Sequence, residues 1–150
     1  ICNDEGFIIM EKLKKRGCPD RYNEIMNIKT QKCVNKNSSE GKLITQNTYQ
    51  SVKYRLDEIK KQGWLFIDIH SGNVMYRQKG KKSEIVLIDF GWAVQKGKKS
   101  YPNHALSKRT GKNFTYSNLE LYQDIIFEQS YGYDRKKLDN LIVKADRLGI

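Results

Sequence analysis

The chain has 150 residues, of which 38% are hydrophobic and 30% are charged, and its formal net charge is +11. This length suffices for one domain with a hydrophobic core and is too short for two ordinary domains. No apolar run approaches the roughly 18 residues that a membrane span needs, and the N-terminus lacks the features of a signal peptide. We therefore expect one soluble cytoplasmic domain without a membrane partner.

The basic residues raise the question of a nucleic-acid partner. They are dispersed in short runs, such as 12–16, 79–82 and 96–99, which lie mostly at expected turns and helix ends. Solvated surface is the default interpretation of such runs. We therefore do not expect nucleic acid to be the partner of this chain.

Three cysteines, Cys2, Cys18 and Cys33, occur in the chain. Their number is odd and their spacing is not that of metal ligands, which excludes the common zinc-binding patterns. For an intracellular protein this predicts reduced thiols.

The first half of the chain contains one clear helical pattern. Residues 7–10 form a short apolar run that predicts a buried strand. Asp20 is a suitable cap for a short helix that ends near Lys29, and residues 30–46 are polar and predict a loop. From 47 to 62, apolar residues recur at three- and four-residue steps, which predicts a helix that ends at Gly63.

The stretch Gly63–Val94 is the centre of the chain. Two apolar runs, at 64–67 and 85–88, predict short strands separated by another strand and a basic hairpin. Asp68 and Asp89 follow these two runs, and Asn73 lies five residues beyond Asp68. Two carboxylates and an amide facing one cleft suit Mg²⁺, which is usually held by one or two carboxylates together with substrate phosphates.

The second half of the chain is mostly helical. Residues 95–116 are polar and basic without periodicity, which predicts a loop over the site. Ser117 and Glu120 have the spacing of a capping box that opens a helix. Asp134 caps a final helix with the clearest apolar stripe of the chain, and Gly149 ends it. The predicted fold class is α+β, mostly helical, with short β-hairpins around the site.

Asp68-x4-Asn73 followed by Asp89-Phe90-Gly91 resembles two signatures of the protein-kinase-like superfamily, the catalytic loop and the D-F-G metal loop, in the correct order. The resemblance extends upstream. Residues 7–13 resemble the last strand of the N-lobe and the hinge, and the helix 47–62 resembles the long helix before the catalytic loop. The resemblance implies one kinase-like domain over 1–150, with its C-lobe at 20–150.

The resemblance also implies roles in phosphoryl transfer, in which positioning and charge neutralisation matter more than covalent chemistry. Asp68 would accept or orient the proton of the attacking hydroxyl. Asp89 would ligate the Mg²⁺ that bridges the phosphates, and Asn73 would hold a second metal or support Asp68. Gly91 would allow the loop backbone angles that a side chain disfavours.

ATP is the nucleotide that the resemblance implies. Met10 would close the back of the adenine pocket, and the backbones of Glu11 and Leu13 would hydrogen-bond the adenine edge. The sequence contains no glycine-rich phosphate loop or lysine strand upstream of residue 7. We therefore expect the N-lobe to be largely absent here and supplied by a longer protein or by a partner chain.

Two departures from the protein-kinase pattern bear on substrate and regulation. Phe66 and Ile67 replace the His and Arg of H-R-D, so we do not expect docking of a phosphorylated activation loop. The loop D-I-H-S-G-N is closer to the D-L-H-P-G-N of aminoglycoside phosphotransferases and choline kinases, and His70 would contact phosphate or stabilise the loop. A Ser/Thr protein substrate is expected first, with a small hydroxyl acceptor or a pseudokinase-like binding module as alternatives.

Overall fold

The computed structural model describes residues 12–15 and 17–150. The predicted strand 7–10, with Met10 and Glu11, lies outside the described residues. Within them the chain has an α+β fold, as predicted, with four α-helices and seven strands. The helices are α1 Ser39–Lys61, α2 Ala105–Thr110, α3 Tyr116–Tyr131 and α4 Arg135–Leu148. The strands are β1 Lys14–Lys15, β2 Glu24–Asn27, β3 Lys32–Asn35, β4 Trp64–Leu65, β5 Val74–Lys79, β6 Lys82–Leu87 and β7 Val94–Gln95.

The predicted basic hairpin is present as the antiparallel pair β5–β6. Its register runs from Val74 opposite Leu87 to Lys79 opposite Lys82, and Gly80 in the turn has φ +61°. The outer strand β1 pairs with β5 and completes a three-stranded sheet. Alternate residues of the hairpin are buried, as expected for strands with one face on the core.

The segment after Asp20 is a hairpin and not the predicted helix. The Asp20 carboxylate accepts hydrogen bonds from the backbone N–H groups of Tyr22 and Asn23, so it caps a turn as a helix cap would. The chain then forms β2, which pairs with β3 from Glu24 opposite Asn35 to Asn27 opposite Lys32. The prediction was wrong because pairing with a later segment overrides a weak local helical pattern.

Cys18 and Cys33 form a disulfide, with their Cα atoms 5.9 Å apart. The prediction of reduced thiols was therefore wrong for these two residues. The pairing depends on the β2–β3 hairpin, which returns Cys33 to the neighbourhood of Cys18, and this hairpin was not predicted. Stable disulfides are uncommon in the cytosol, and the cytoplasmic location stays a prediction.

Helix α1 begins at Ser39, well before the predicted start at 47. Ser38 is the N-cap, and its hydroxyl accepts a hydrogen bond from the backbone N–H of Gly41 at 3.0 Å. The first turns are polar, so the apolar periodicity on which the prediction rested starts only further along the helix. The C-terminal end was predicted correctly, since the helix ends at Lys61 and Gly63 follows with φ +85°.

The segment 95–116 is folded against the core and is not the predicted loop over the site. Strand β7 pairs with β4, α2 follows, and Tyr101, Leu106 and Phe114 are buried. These three apolar residues have no regular spacing, so only long-range packing reveals them as core. Helix α3 starts two residues earlier than predicted, with Thr115 as its N-cap.

The last helix agrees with its prediction. Asp134 caps α4 by accepting hydrogen bonds from the backbone N–H groups of Lys136 and Lys137, and Gly149 ends it with φ +70°. Across the described ranges, no helix is long and apolar enough to cross a bilayer.

Two buried clusters make up the core, and β4 with the residues after it lies between them. Leu65 and Ile67 belong to the cluster that also contains Tyr101, Leu106 and Phe114. Phe66 belongs to the other cluster, which α1 and the β5–β6 hairpin contribute to. The backbone that leads to Asp68 is therefore held by packing on both faces.

Candidate active site

Asp68 follows a backbone segment in an uncommon conformation. Ile67 has φ +66°, which is a genuine outlier for a β-branched residue. The carboxamide oxygen of the buried Gln123 in α3 accepts hydrogen bonds from the backbone N–H groups of Phe66 and Ile67, both at 2.8 Å. Strained backbone of this kind persists only where the surroundings over-determine it, and Gln123 supplies part of that constraint.

Asn73 joins the two ends of the loop that starts at Asp68. Its amide nitrogen donates to the backbone oxygen of Asp68 at 3.0 Å and lies 3.2 Å from the Asp68 Oδ2 atom. The side chain is almost buried, at 6% exposure, in a 3-10 turn over Ser71–Asn73 that leads into β5. The predicted pair Asp68 and Asn73 is therefore in direct contact.

Asp89 is connected to the same loop through the backbone. The Ile88 N–H donates to the Asn73 carbonyl oxygen at 2.9 Å, which places the loop opened by Asp89 beside Asn73. Asp89 has φ +65°, and its Oδ1 atom accepts a hydrogen bond from the Gly91 N–H at 3.2 Å. Gly91 thus lies at the turn that orients the Asp89 carboxylate, but the positive φ of this turn is at Asp89 and not at Gly91, so the prediction that Gly91 supplies the unusual backbone angles was wrong.

Phe90 packs edge-on against Phe66, with ring centroids 5.0 Å apart and an interplanar angle of 86°. Phe66 is fully buried, whereas Phe90 is 55% exposed. The contact ties the loop after β6 to the segment before Asp68. At the sequence position where protein kinases have the His of H-R-D, this chain has Phe66, which makes an apolar contact with Phe90.

His70 is part of the Asp68 loop. Its Nδ1 atom accepts a hydrogen bond from the Gly72 N–H at 3.1 Å, which assigns the proton of the neutral ring to Nε2. Nε2 lies 3.5 Å from Asp68 Oδ2 and 3.2 Å from the Asn73 amide nitrogen. This geometry agrees with the loop-stabilising alternative for His70; contact with phosphate stays a prediction.

The donor set fits a hard cation. In the described part of the chain no group of three or more His, Cys, Asp or Glu side chains could hold a metal by itself. Mg²⁺ does not require such a group, because phosphates complete its coordination. The Asn73 amide nitrogen is occupied by the contacts described above. The groups that could serve as cation ligands are therefore the Asn73 carboxamide oxygen and the Asp89 carboxylate.

The predicted nucleotide-binding residues are only partly within the described ranges. Met10 and Glu11 lie outside them. Leu13 is half-buried and directly precedes β1, which pairs with β5 at Lys14 opposite Tyr76. The chain segment with Leu13 thus enters the fold beside β5, the strand that directly follows Asn73.

An open cleft adjoins the Asp89 loop on the side of the following segment. It has a volume of about 270 Å³ and is lined by residues of two stretches, 91–94 and 98–105. His104, in the second stretch, contacts the first: its Nε2 atom is 3.0 Å from the Trp92 carbonyl oxygen. Its Nδ1 atom accepts a hydrogen bond from the Leu106 N–H.

Gln123 is the functional residue that the sequence prediction missed. It lies four residues after Leu119 and four before Phe127, and all three are buried. A polar residue within a buried helical stripe was therefore the available signal, because a buried amide requires hydrogen-bond partners. Its partners, however, are 56 and 57 residues away in the sequence.

The comparison with protein families agrees with this geometry. The model of the ABC1 atypical kinase-like domain matches residues 21–106, more than half of the chain, including Asp68, Asn73 and Asp89. No curated protein and no solved structure matches significantly. The protein-kinase-like resemblance, of the atypical kind, is thereby confirmed. This chain belongs to the ABC1 atypical kinase-like domain family.

Proposed function

We propose that this domain transfers the γ-phosphoryl group of ATP to a hydroxyl acceptor in a Mg²⁺-dependent reaction. Membership of the family supports a kinase-like phosphotransferase or pseudokinase in general. The observation that carries the more specific proposal is the contact of Asn73 with Asp68, together with the Ile88–Asn73 backbone hydrogen bond that places Asp89 beside them.

The residues of the two loops have roles that their contacts support, and the roles of the adenine-contacting residues follow from the kinase resemblance. Asp68, oriented by the Asn73 amide, accepts or orients the proton of the attacking hydroxyl. Asp89 and the carboxamide oxygen of Asn73 hold Mg²⁺, which neutralises charge on the phosphates when it is bound. Met10, Glu11 and Leu13 contact the adenine, and Gly91 keeps the turn that orients Asp89.

For the acceptor we propose a Ser or Thr hydroxyl of a protein. The catalytic-loop and D-F-G signatures, which occur here in the order found in protein kinases, support this choice. The second candidate is a small hydroxyl acceptor, which the similarity of the loop D-I-H-S-G-N to the D-L-H-P-G-N of aminoglycoside phosphotransferases and choline kinases favours.

The test is a pair of substitutions in the full-length natural protein. Asp68→Asn should reduce phosphoryl transfer by a factor of about 10² to 10⁴, the range typical of a general base, while Mg²⁺-dependent ATP binding persists. Asp89→Asn should abolish the Mg²⁺ dependence of ATP binding measured by calorimetry. Asp139→Asn, an exposed position in α4, is the matched control and should change neither quantity.

Two results would refute the proposal. Undiminished transfer by the Asp68→Asn protein would exclude Asp68 from catalysis. Absence of any Mg²⁺-dependent nucleotide affinity in the unsubstituted protein would favour the pseudokinase-like binding module.

A further inference from the structure

The charges of this chain are distributed unevenly around the candidate site. Between Asp89 and Glu120 no aspartate or glutamate occurs. The same stretch contains the following cationic residues: Lys96, Lys98, Lys99, Lys108, Arg109 and Lys112. More than half of the chain's net charge of +11 is therefore concentrated in the segment that directly follows the proposed metal ligand.

This segment is held in place beside the site. The buried Tyr101 is its anchor: its hydroxyl donates to the Gln95 carbonyl oxygen, its N–H donates to the Phe114 carbonyl oxygen at 2.9 Å, and its own carbonyl accepts from the Ser107 hydroxyl at 2.7 Å. The cations on this segment therefore do not need to be ordered before they can bind a partner.

Four of these cations lie at the cleft that starts at Gly91 or near it. Lys98 lines it, and Lys99 is the next residue. The Arg109 guanidinium lies 5.7 Å from the ring centre of Trp92, and the Lys108 N–H donates to the His104 carbonyl oxygen, one helical turn from the cleft.

None of these positive charges is neutralised within the described residues. The ion pairs of the described chain involve other cations, namely Arg55, Lys60, Arg77, Lys79, Arg135 and Lys137. Lys98, Lys99 and Lys108 are exposed. Unpaired cations around a cleft create a positive potential that attracts and orients anionic partners.

We propose that the cleft between Gly91 and His104 binds an acidic peptide segment, in which aspartate or glutamate residues flank the acceptor hydroxyl. The proposal rests on the proposed phosphotransferase function and specifies its substrate. A peptide is favoured over a small anion because small-molecule pockets enclose most of their ligand. Here the cations are exposed and spread along the segment, as an extended chain with several carboxylates requires.

Fluorescence anisotropy with the full chain tests the proposal. The probes are a labelled Ser peptide flanked by glutamates, the same peptide with glutamines, and a single-stranded oligonucleotide of equal charge. The acidic peptide should bind at least 10-fold more tightly than its neutral analogue, with an affinity that falls as salt rises. Lys98→Ala combined with Lys99→Ala should weaken it by about 10-fold, because each exposed charge pair contributes a factor of up to about 5.

The matched control is Lys81→Ala combined with Lys82→Ala, which removes the same charge from the β5–β6 turn. Equal weakening by both double variants would overturn the proposal, since net charge alone would then explain binding. Equal binding of the two peptides, or tighter binding of the oligonucleotide with the same lysine dependence, would also overturn it.

A transfer assay on the same peptides separates this proposal from the one on which it rests. Lysine-dependent binding of the acidic peptide without phosphorylation would support acidic-peptide binding at the cleft and contradict phosphotransfer. Equal phosphorylation of the acidic and the neutral peptide would support phosphotransfer and contradict the acidic specificity.

Discussion

The carboxamide oxygen of Gln123 lies 2.8 Å from the backbone nitrogen of Ile67, a β-branched residue with φ +66°. The same oxygen accepts a hydrogen bond from Phe66. Asp68, the proposed catalytic carboxylate, is the next residue after Ile67. A buried side chain of helix α3 therefore holds the backbone from which the Asp68 side chain projects, and Gln123 is a positioning residue for this loop.

Substitution of Gln123 should affect both stability and turnover. Gln123→Leu leaves two backbone N–H groups without an acceptor, and each such group costs about 1–3 kcal/mol. We expect a loss of about 2–6 kcal/mol in the free energy of unfolding, measured with urea, and a lower kcat with little change in the KM for ATP. Gln123→Glu keeps an acceptor oxygen, so it should retain more of the unfolding free energy and more of kcat than Gln123→Leu. Equal kcat values for the two variants would contradict the positioning role.

A second prediction concerns the cluster of Tyr49, Glu128 and Lys137, which joins α1, α3 and α4. The Tyr49 hydroxyl donates to Glu128 Oε1 at 2.5 Å, and the Lys137 Nζ atom lies 2.9 Å from the Tyr49 hydroxyl and 3.0 Å from Glu128 Oε1. Burial and the Glu128 hydrogen bond raise the pKa of Tyr49. The hydrogen bonds to Tyr49 and Glu128 raise the pKa of Lys137.

Both pKa values are raised on folding. In alkaline solution the folded protein therefore keeps protons that the unfolded chain has already released. These groups should therefore contribute their full stabilisation at neutral pH, and the unfolding free energy should fall as the pH rises above about 10. Tyr49→Phe should make this decline shallower in urea titrations between pH 8 and 11. Tyr54→Phe, at an exposed tyrosine, is the control. An unchanged slope for Tyr49→Phe would contradict the prediction.

The third prediction concerns Gly41 in the first turn of α1. A Cβ atom at this position would lie 2.0 Å from the Asn35 carbonyl oxygen, which belongs to the end of β3. Since a backbone atom cannot move aside cheaply, Gly41→Ala should destabilise the fold by about 1–3 kcal/mol, the usual cost of overpacking. Lys42→Ala at the exposed neighbouring position should change the unfolding free energy by less than about 0.5 kcal/mol. Equal thermal midpoints for the two variants would refute the contact.

The fourth prediction tests the disulfide. Cys18 and Cys33 are separated by 15 residues, and closing a loop of this size stabilises a protein by about 3 kcal/mol in the chain-entropy model. Cys33→Ser should therefore lower the unfolding free energy by about that amount under oxidising conditions and by much less in the presence of a reductant. A thiol count under denaturing, non-reducing conditions should find at most one free thiol among the three cysteines. Three titratable thiols would show that the pair is reduced.

Local sequence patterns predicted the elements that depend on local interactions. The hairpin β5–β6 has strands of alternating burial, and α4 has both its caps and its stripe within one continuous segment. The order of Asp68, Asn73 and Asp89 was sufficient to recognise the kinase-like superfamily, and the family match confirms that recognition. Their chemical roles stay predictions.

The elements that the sequence did not reveal depend on contacts between distant residues. The segment after Asp20 became a strand because residues 32–35 pair with it. The segment 95–116 folds because Tyr101 and Phe114 reach a core formed with β4. The stabilisation from strand pairing and core packing arises only when separate segments meet. No local sequence pattern therefore predicts it.

The amino-acid order by itself therefore determined the chemistry of the site, since the residue types and their spacing specify two carboxylates and an amide. Only the tertiary structure decided where these side chains lie and what holds them there. Gln123, from another helix, holds the backbone before Asp68, and packing places the cationic segment beside Gly91. The reason is physical: donors, acceptors and charges are properties of single residues, whereas their positions depend on the packing of the whole domain.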